Sequence, residues 1–185
     1  VDVAIIGGGM AGAGLALLIA KLLPECSIAL IEQHAMHIAS SEQLAVPSFD
    51  ARSTALSCST QNILAMLGVW QPIATQAESI LNVHVSERSR PLGMLMQSDD
   101  TALPALGYVI ENRLLGNVLL KAVLDQKKCI HTMSPALVEN ITFSADCATL
   151  TIQSDHQYFL HAKLVIVADG AQSAIRQKLG ISSDT

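Results

Sequence analysis

The chain has 185 residues, half of them apolar and 15% charged, and a net charge of −5. That length and composition suit a globular domain with one full hydrophobic core. The acidic balance and the absence of any Lys/Arg run argue against a nucleic-acid partner, because phosphate backbones are bound through clustered cations.

The N-terminal stretch "VDVAIIGGGMAGAGLALLIA" carries no charge between Asp2 and Lys21. Its apolar run reaches the lower edge of a membrane-spanning length, roughly 18 residues. Gly7, Gly8, Gly9, Gly12 and Gly14 interrupt it, so it reads as a strand, a sharp turn and a helix. Asp2 stands where a signal peptide would place its cations. "VAIIG" and "SIALIE" are β-rich runs flanking a buried crossover helix that ends before Pro24, which makes a βαβ unit.

A polar loop over "HAMHIASSEQLAVPSFDARS" follows, then a helix near "STQNILAMLG" stopped by Gly68, and a short element at "VWQPIATQA". "ILNVHVSE" alternates like one strand. "GYVIE" leads into an amphipathic helix over "NRLLGNVLLKAVLDQ", with Leu115, Val118, Leu119 and Ala122 on one face. The β signals "KCIHT", "ALVENITFS", "ATLTIQS" and "QYFLHA" come next, and the short gaps between the last three predict an antiparallel meander. "KLVIVADG" reads as a buried parallel strand and "AQSAIRQKLG" as a closing helix. The fold class is α/β, a Rossmann-like parallel sheet with an antiparallel β-meander.

Cys26, Cys58, Cys129 and Cys147 lie far apart with no C-x-x-C spacing, the pattern of buried free thiols in a reducing, cytoplasmic compartment. His34 and His37 have no second ligand pair at metal spacing, so they read as a solvated loop and no metal is expected.

Two turns carry chemistry. Gly7-x-Gly9-x-x-Gly12 directly follows a strand and opens a helix. The first glycine permits the turn, the second lets backbone approach a pyrophosphate, and the third lets helix and strand pack closely. Free N–H groups at the helix start favour phosphate. Glu32, twenty residues after Gly12, stands where a carboxylate can accept from the hydroxyls of an adenosine ribose and repel a 2′-phosphate. This pattern does not separate FAD from NAD. The second turn, "VIVADGAQSAIR", brings Asp169 and Gly170 to the end of another strand, with Ser173 and Arg176 beyond. Asp169 can accept from a ligand hydroxyl and Arg176 can meet a phosphate, but a plain turn with Asp169 capping the helix fits equally well.

The pairing of "GGGMAG" and Glu32 with "ADGAQSAIR" resembles the flavin-dependent aromatic hydroxylases, whose second motif D-G-x-x-S-x-x-R is matched by Asp169, Gly170, Ser173 and Arg176. "FDARSTALS", "LGVWQPIA", "VHVSER" and "LGYVIENRLL" are similar to the ubiquinone-biosynthesis branch, and the resemblance covers nearly the whole chain. It implies a glutathione-reductase-type FAD-binding fold, FAD as cofactor, and NADH or NADPH as electron donor. It also implies O₂ and a prenylated phenol as substrates, and peripheral association with the inner membrane or a biosynthetic complex. Arg52 matches an arginine that approaches the flavin, and Arg113 opens a helix that runs near it. Trp70 matches no catalytic role and reads as a packing residue. Members of the family are about twice as long as this chain, so residues 1–185 are expected to form the FAD-binding part of a larger monooxygenase, inactive by itself. Another FAD-linked oxidoreductase, such as a prenyl-chain reductase, and a non-catalytic dinucleotide-binding module are the alternatives.

Overall fold

A computed structural model describes residues 1–36, 46–86 and 93–182. Residues 37–45 of the polar loop, His37 among them, and the last two residues of "VHVSER" lie outside the described residues. The elements begin with β1 (Val3–Ile6), α1 (Met10–Leu22), β2 (Ile28–Ile31), β3 (Ser53–Ser57), α2 (Cys58–Met66) and α3 (Gln71–Ala74). They continue with β4 (Glu78–Ile80), β5 (Asn82–Ser86), β6 (Gly93–Gln97), β7 (Gly107–Glu111) and α4 (Asn112–Asp125). The last are β8 (Ile130–Met133), β9 (Leu137–Phe143), β10 (Ala148–Gln153), β11 (Gln157–Ala162), β12 (Leu164–Val167) and α5 (Ala174–Lys178).

The chain divides into two compact units, Val1–Asp50 with Gly116–Thr185, and Ala51–Leu115. The first holds a parallel sheet in the order β12-β1-β2-β8 and an antiparallel meander in the order β11-β10-β9. β1 and β2 are apolar and buried at every position, as a sheet covered on both faces requires. Alternation divides the labour. Ala4 and Ile6 of β1 face a core shared with Val138 and Ile141 of β9, Leu150 and Ile152 of β10, and Ile175 of α5. Ile5 points the other way, toward α1, whose Ala13, Ala16 and Leu17 are buried. The second unit holds the antiparallel sheet β3-β7-β4 and the pair β5-β6. There Trp70 is buried with its ring edge-on to Tyr108 at 4.9 Å, the packing role expected of it.

The βαβ unit, the α2 and α4 helices and the meander stand where the sequence predicts them. Four expectations need correction. "ILNVHVSE" is two strands, β4 and β5, which pair in different sheets. Residues 54–57 lie between the predicted polar loop and helix with no element of their own, but Ser53–Ser57 forms β3, whose small, alternately exposed side chains carry little apolar signal. β12 is parallel but is the end strand of its sheet, so Leu164 is 53% exposed and its neighbours half-buried. The four cysteines are free, yet each is half-buried rather than buried.

Asp2 ties the starts of β1, β2 and β12 together. Its carboxylate accepts from Ser27 N (2.9 Å), Ser27 Oγ (2.7 Å) and Lys163 Nζ (2.7 Å). The bonds from Lys163 and Ser27 hold the Asp2 carboxyl well below the usual carboxylate range and raise the Lys163 ammonium above its ordinary value. Because the Asp2 pKa is lower in the folded chain than in the unfolded one, its contribution is present above the unfolded value, about 3.9, and is lost as pH falls below it. Asp2→Asn should therefore give a shallower loss of stability between about pH 4 and pH 2 than the parent chain, read from denaturant midpoints across that range. Identical acid limbs would count against the clamp.

Helix α1 supplies a second test. A Cβ on Gly12 would overlap the Gly7 carbonyl oxygen, whereas one on Gly14 would meet nothing within 4 Å. Gly12→Ala should destabilise the fold by about 1–3 kcal/mol, as overpacking does. Gly14→Ala should stabilise it by about 0.5–1 kcal/mol, as expected for a glycine inside a helix. Urea midpoints of the two variants should move in opposite directions.

Candidate functional site

The turns after β1, β2 and β12 leave the parallel sheet at the same carboxyl edge. On either side of β1 the chain departs in different directions, to β2 through α1 and to β12 from the far end of the sequence, the arrangement that opens a crevice in such sheets. A cleft of about 600 Å³ lies there, walled by the glycine turn, residues 31–34, residues 46–48, the start of β9, Ala168–Gly170 and α5. Every one of these segments belongs to the first unit.

Backbone hydrogen bonds tie the glycine turn to the neighbouring strands. Gly7 N–H donates to Ile31 O (2.8 Å) and Ala168 N–H to Ile6 O (2.7 Å), which fixes the ends of all three strands to one another. Gly7 has φ +105°, and a Cβ there would overlap the Ala168 carbonyl oxygen, so both conformation and space demand glycine. Gly9 is the N-cap of α1 and makes no side-chain cap, and the first turn contains no acidic residue. Its N–H groups and the helix dipole are thus available to an anion.

Glu32 follows β2 and is buried, 6% exposed. Its Oε2 accepts from Gly8 N–H at 2.6 Å, and its Oε1 accepts from His34 N–H at 2.8 Å and lies 2.9 Å from His34 Nδ1. The segment is anchored further by Ser134, whose hydroxyl donates to His34 O (3.0 Å) and accepts from Met36 N–H (2.6 Å). His34 is therefore a partner of Glu32 on the cleft wall, while its side chain, 43% exposed, sits on a loop as the sequence predicts. A carboxylate offers about four acceptor positions, and three are in use here.

Asp169 and Gly170 line the opposite wall, with Gly170 at φ +94°. Ser173, not Asp169, caps α5: its Oγ accepts from Arg176 N–H at 2.9 Å. Asp169 Oδ1 is buried with no hydrogen-bond partner, and so are Arg176 Nε and, across the cleft, Ser48 Oγ. Buried polar atoms without partners are uncommon in folded proteins; Asn117 Oδ1 of α4, outside the cleft lining, is another, and of these four Ser48 and Asp169 line the cleft. Ser48 was missed in the sequence because nothing in "PSFDAR" distinguishes it from a loop serine. Arg52 and Arg113 lie in the second unit and do not line the cleft. Arg113 is paired with Glu111 at 2.7 Å, and the Arg52 carbonyl accepts from Asn112 N–H at 2.8 Å.

A family model for the FAD binding domain matches residues 1–185. The chain belongs to that family. Over 184 residues it is 30% identical to the ubiquinone hydroxylase UbiL of Rhodospirillum rubrum, covering all of this chain and 40% of the relative. It is 29% identical to the 3-demethoxyubiquinol 3-hydroxylase of Escherichia coli, covering 97% of this chain and 44% of that one. The chain thus spans about two fifths of the length of these curated relatives. Among solved structures, p-nitrophenol 4-monooxygenase from Pseudomonas putida superposes on 99% of this chain and 44% of its own with a TM-score of 0.74 at 22% identity, a likeness of fold. Among the described residues no group of three or more His, Cys, Asp or Glu side chains could hold a metal ion.

The Glu32 bonds generate a prediction that needs no ligand. Glu32→Ala leaves the buried Gly8 N–H without an acceptor, so the flavin-free chain should lose about 1–3 kcal/mol of stability in a denaturant titration. Glu32→Gln, which keeps one carbonyl acceptor, should recover part of the loss. An unchanged midpoint for Glu32→Ala would show that the turn holds itself without the carboxylate.

Proposed function

We propose that the protein carrying this chain is an FAD-dependent monooxygenase that hydroxylates a prenylated phenol in ubiquinone biosynthesis, with NADH or NADPH as electron donor. The observation that carries this reading is the cleft itself. The glycine turn, Glu32 and the Asp169–Gly170 turn converge on one crevice that holds unpartnered buried polar atoms. The names of the full-length relatives supply the reaction class.

On this reading the amides at the start of α1, reached over Gly7, Gly9 and Gly12, receive the pyrophosphate. Glu32 has one acceptor position left for an adenosine ribose hydroxyl, a charged hydrogen bond worth about 1.5–3 kcal/mol. Asp169 Oδ1 accepts from a hydroxyl of the ribityl chain, and Gly170 leaves room for it. Ser173 fixes the turn by capping α5, which positions Arg176 behind it. Arg52 and Arg113 are assigned to the flavin end by resemblance. When bound, FAD supplies the redox chemistry, carrying electrons from the nicotinamide to O₂. The chain's part is to bind, orient and shield. A prenylated phenol partitions into lipid, so the working enzyme is assigned to the membrane periphery. No helix among the described residues is long and apolar enough to cross a membrane.

The test is made on the full-length protein with FAD, NADH or NADPH, isotopically heavy O₂ and a short-chain prenylated phenol. The expected product carries one heavy oxygen by mass spectrometry. Gly9→Val, which fills the space above the turn, should purify with little flavin and form no product while its far-ultraviolet circular dichroism stays near that of the parent. Product oxygen derived from water would overturn the monooxygenase reading, and a full complement of flavin in Gly9→Val would overturn the placement of the pyrophosphate.

A further inference from the structure

We propose that Ser48 is a phosphate-binding residue of the cleft, holding the diphosphate from the side opposite the start of α1. The proposal rests on the reading that this cleft receives FAD. Ser48 is set in place by its neighbours. Val46 and Phe49 are both buried, and Phe49 N–H donates to Val46 O at 3.0 Å, which closes a tight turn around Pro47 and Ser48. The Phe49 ring rests against Gly116 of α4, where any side chain would overlap it. Phe49 is thereby held away from the cleft, and Val46, Pro47 and Ser48 line its wall.

From there the Ser48 hydroxyl reaches the glycine turn. Its Oγ lies 2.9 Å from the point a Cβ on Gly9 would occupy, and it is buried without a partner. The open groups of the turn are N–H donors, so they cannot satisfy a hydroxyl proton. What fits between a hydroxyl and a row of N–H groups is a group with acceptor oxygens on both sides, and a phosphate has that form. One rotation about χ1 turns the hydroxyl from the Gly9 backbone toward such an oxygen. An orphaned hydroxyl is unfavourable in the empty protein and becomes favourable when the anion arrives, so Ser48 lowers stability and raises affinity.

That opposition separates a binding role from a structural one. On the flavin-free protein, Ser48→Ala should raise the dissociation constant for ADP about ten- to a hundredfold, as loss of one hydrogen bond to a charged group does. The constant for adenosine should stay as it is, and the denaturant midpoint should be unchanged or higher. Unchanged ADP affinity would overturn the proposal. So would a fall in midpoint accompanying the fall in affinity, because Ser48 would then be supporting the fold. If the parent binds FAD while Ser48→Ala binds ADP as tightly as the parent, only the Ser48 assignment fails. If the parent binds neither FAD nor ADP, the FAD reading of the cleft fails and this proposal fails with it.

Discussion

The first unit depends on one crowded point, the backbone of Gly7. Its carbonyl lies under Gly12 of α1, its Cα lies against the Ala168 carbonyl, and its N–H is bound to Ile31 O. Helix α1 and the ends of β2 and β12 therefore meet at an atom-by-atom fit that excludes side chains. This fit brings the turns after β1, β2 and β12 within reach of a single ligand. A cleft formed by backbone packing is also rigid, and rigidity lowers the cost of ordering the site when a ligand binds.

The same compactness explains what was legible in the sequence. At Gly7 and Gly12 a side chain would overlap backbone carbonyls, so the pattern of glycines reads directly as geometry. Strands buried on both faces read as unbroken apolar runs, and β1 and β2 were placed from that signal. Glu32 was legible as a carboxylate at the right spacing, but its engagement by Gly8 and His34 was not, because those contacts arise only once the turn has folded over the end of β2.

The misread elements are those whose side chains carry no periodic signal. β3 is built from serine, threonine and alanine with one leucine, and its pairing with β7 is made through backbone. β12 has the composition of a central strand yet ends its sheet, because position in a sheet is a property of the partners and not of the strand. Ser48 illustrates the same limit at the scale of one residue. Its importance comes from Phe49 lying on Gly116, far away in the chain, and no local pattern reports that contact.

The unpartnered polar atoms give the cleft its direction of function. Ser48 Oγ and Asp169 Oδ1 lie on its walls, and Arg176 Nε belongs to the short helix whose Ala174, Ile175 and Lys178 also line it. Each such atom costs about 1–3 kcal/mol when buried without a partner. A sequence selected for stability alone would replace them with apolar groups of similar shape. Two of them, Ser48 Oγ and Asp169 Oδ1, lie on the walls of one cleft, while Asn117 Oδ1 lies outside its lining, and the pair on the walls supports the proposal of a ligand carrying both hydroxyls and phosphates. On the proposed reading, the adenosine, diphosphate and ribityl parts of FAD present those groups along one molecule, so the stability given up without the ligand is recovered on binding. Cofactor and fold are on this account thermodynamically linked: the flavin-loaded protein should be the more stable form because the empty one keeps these groups unsatisfied.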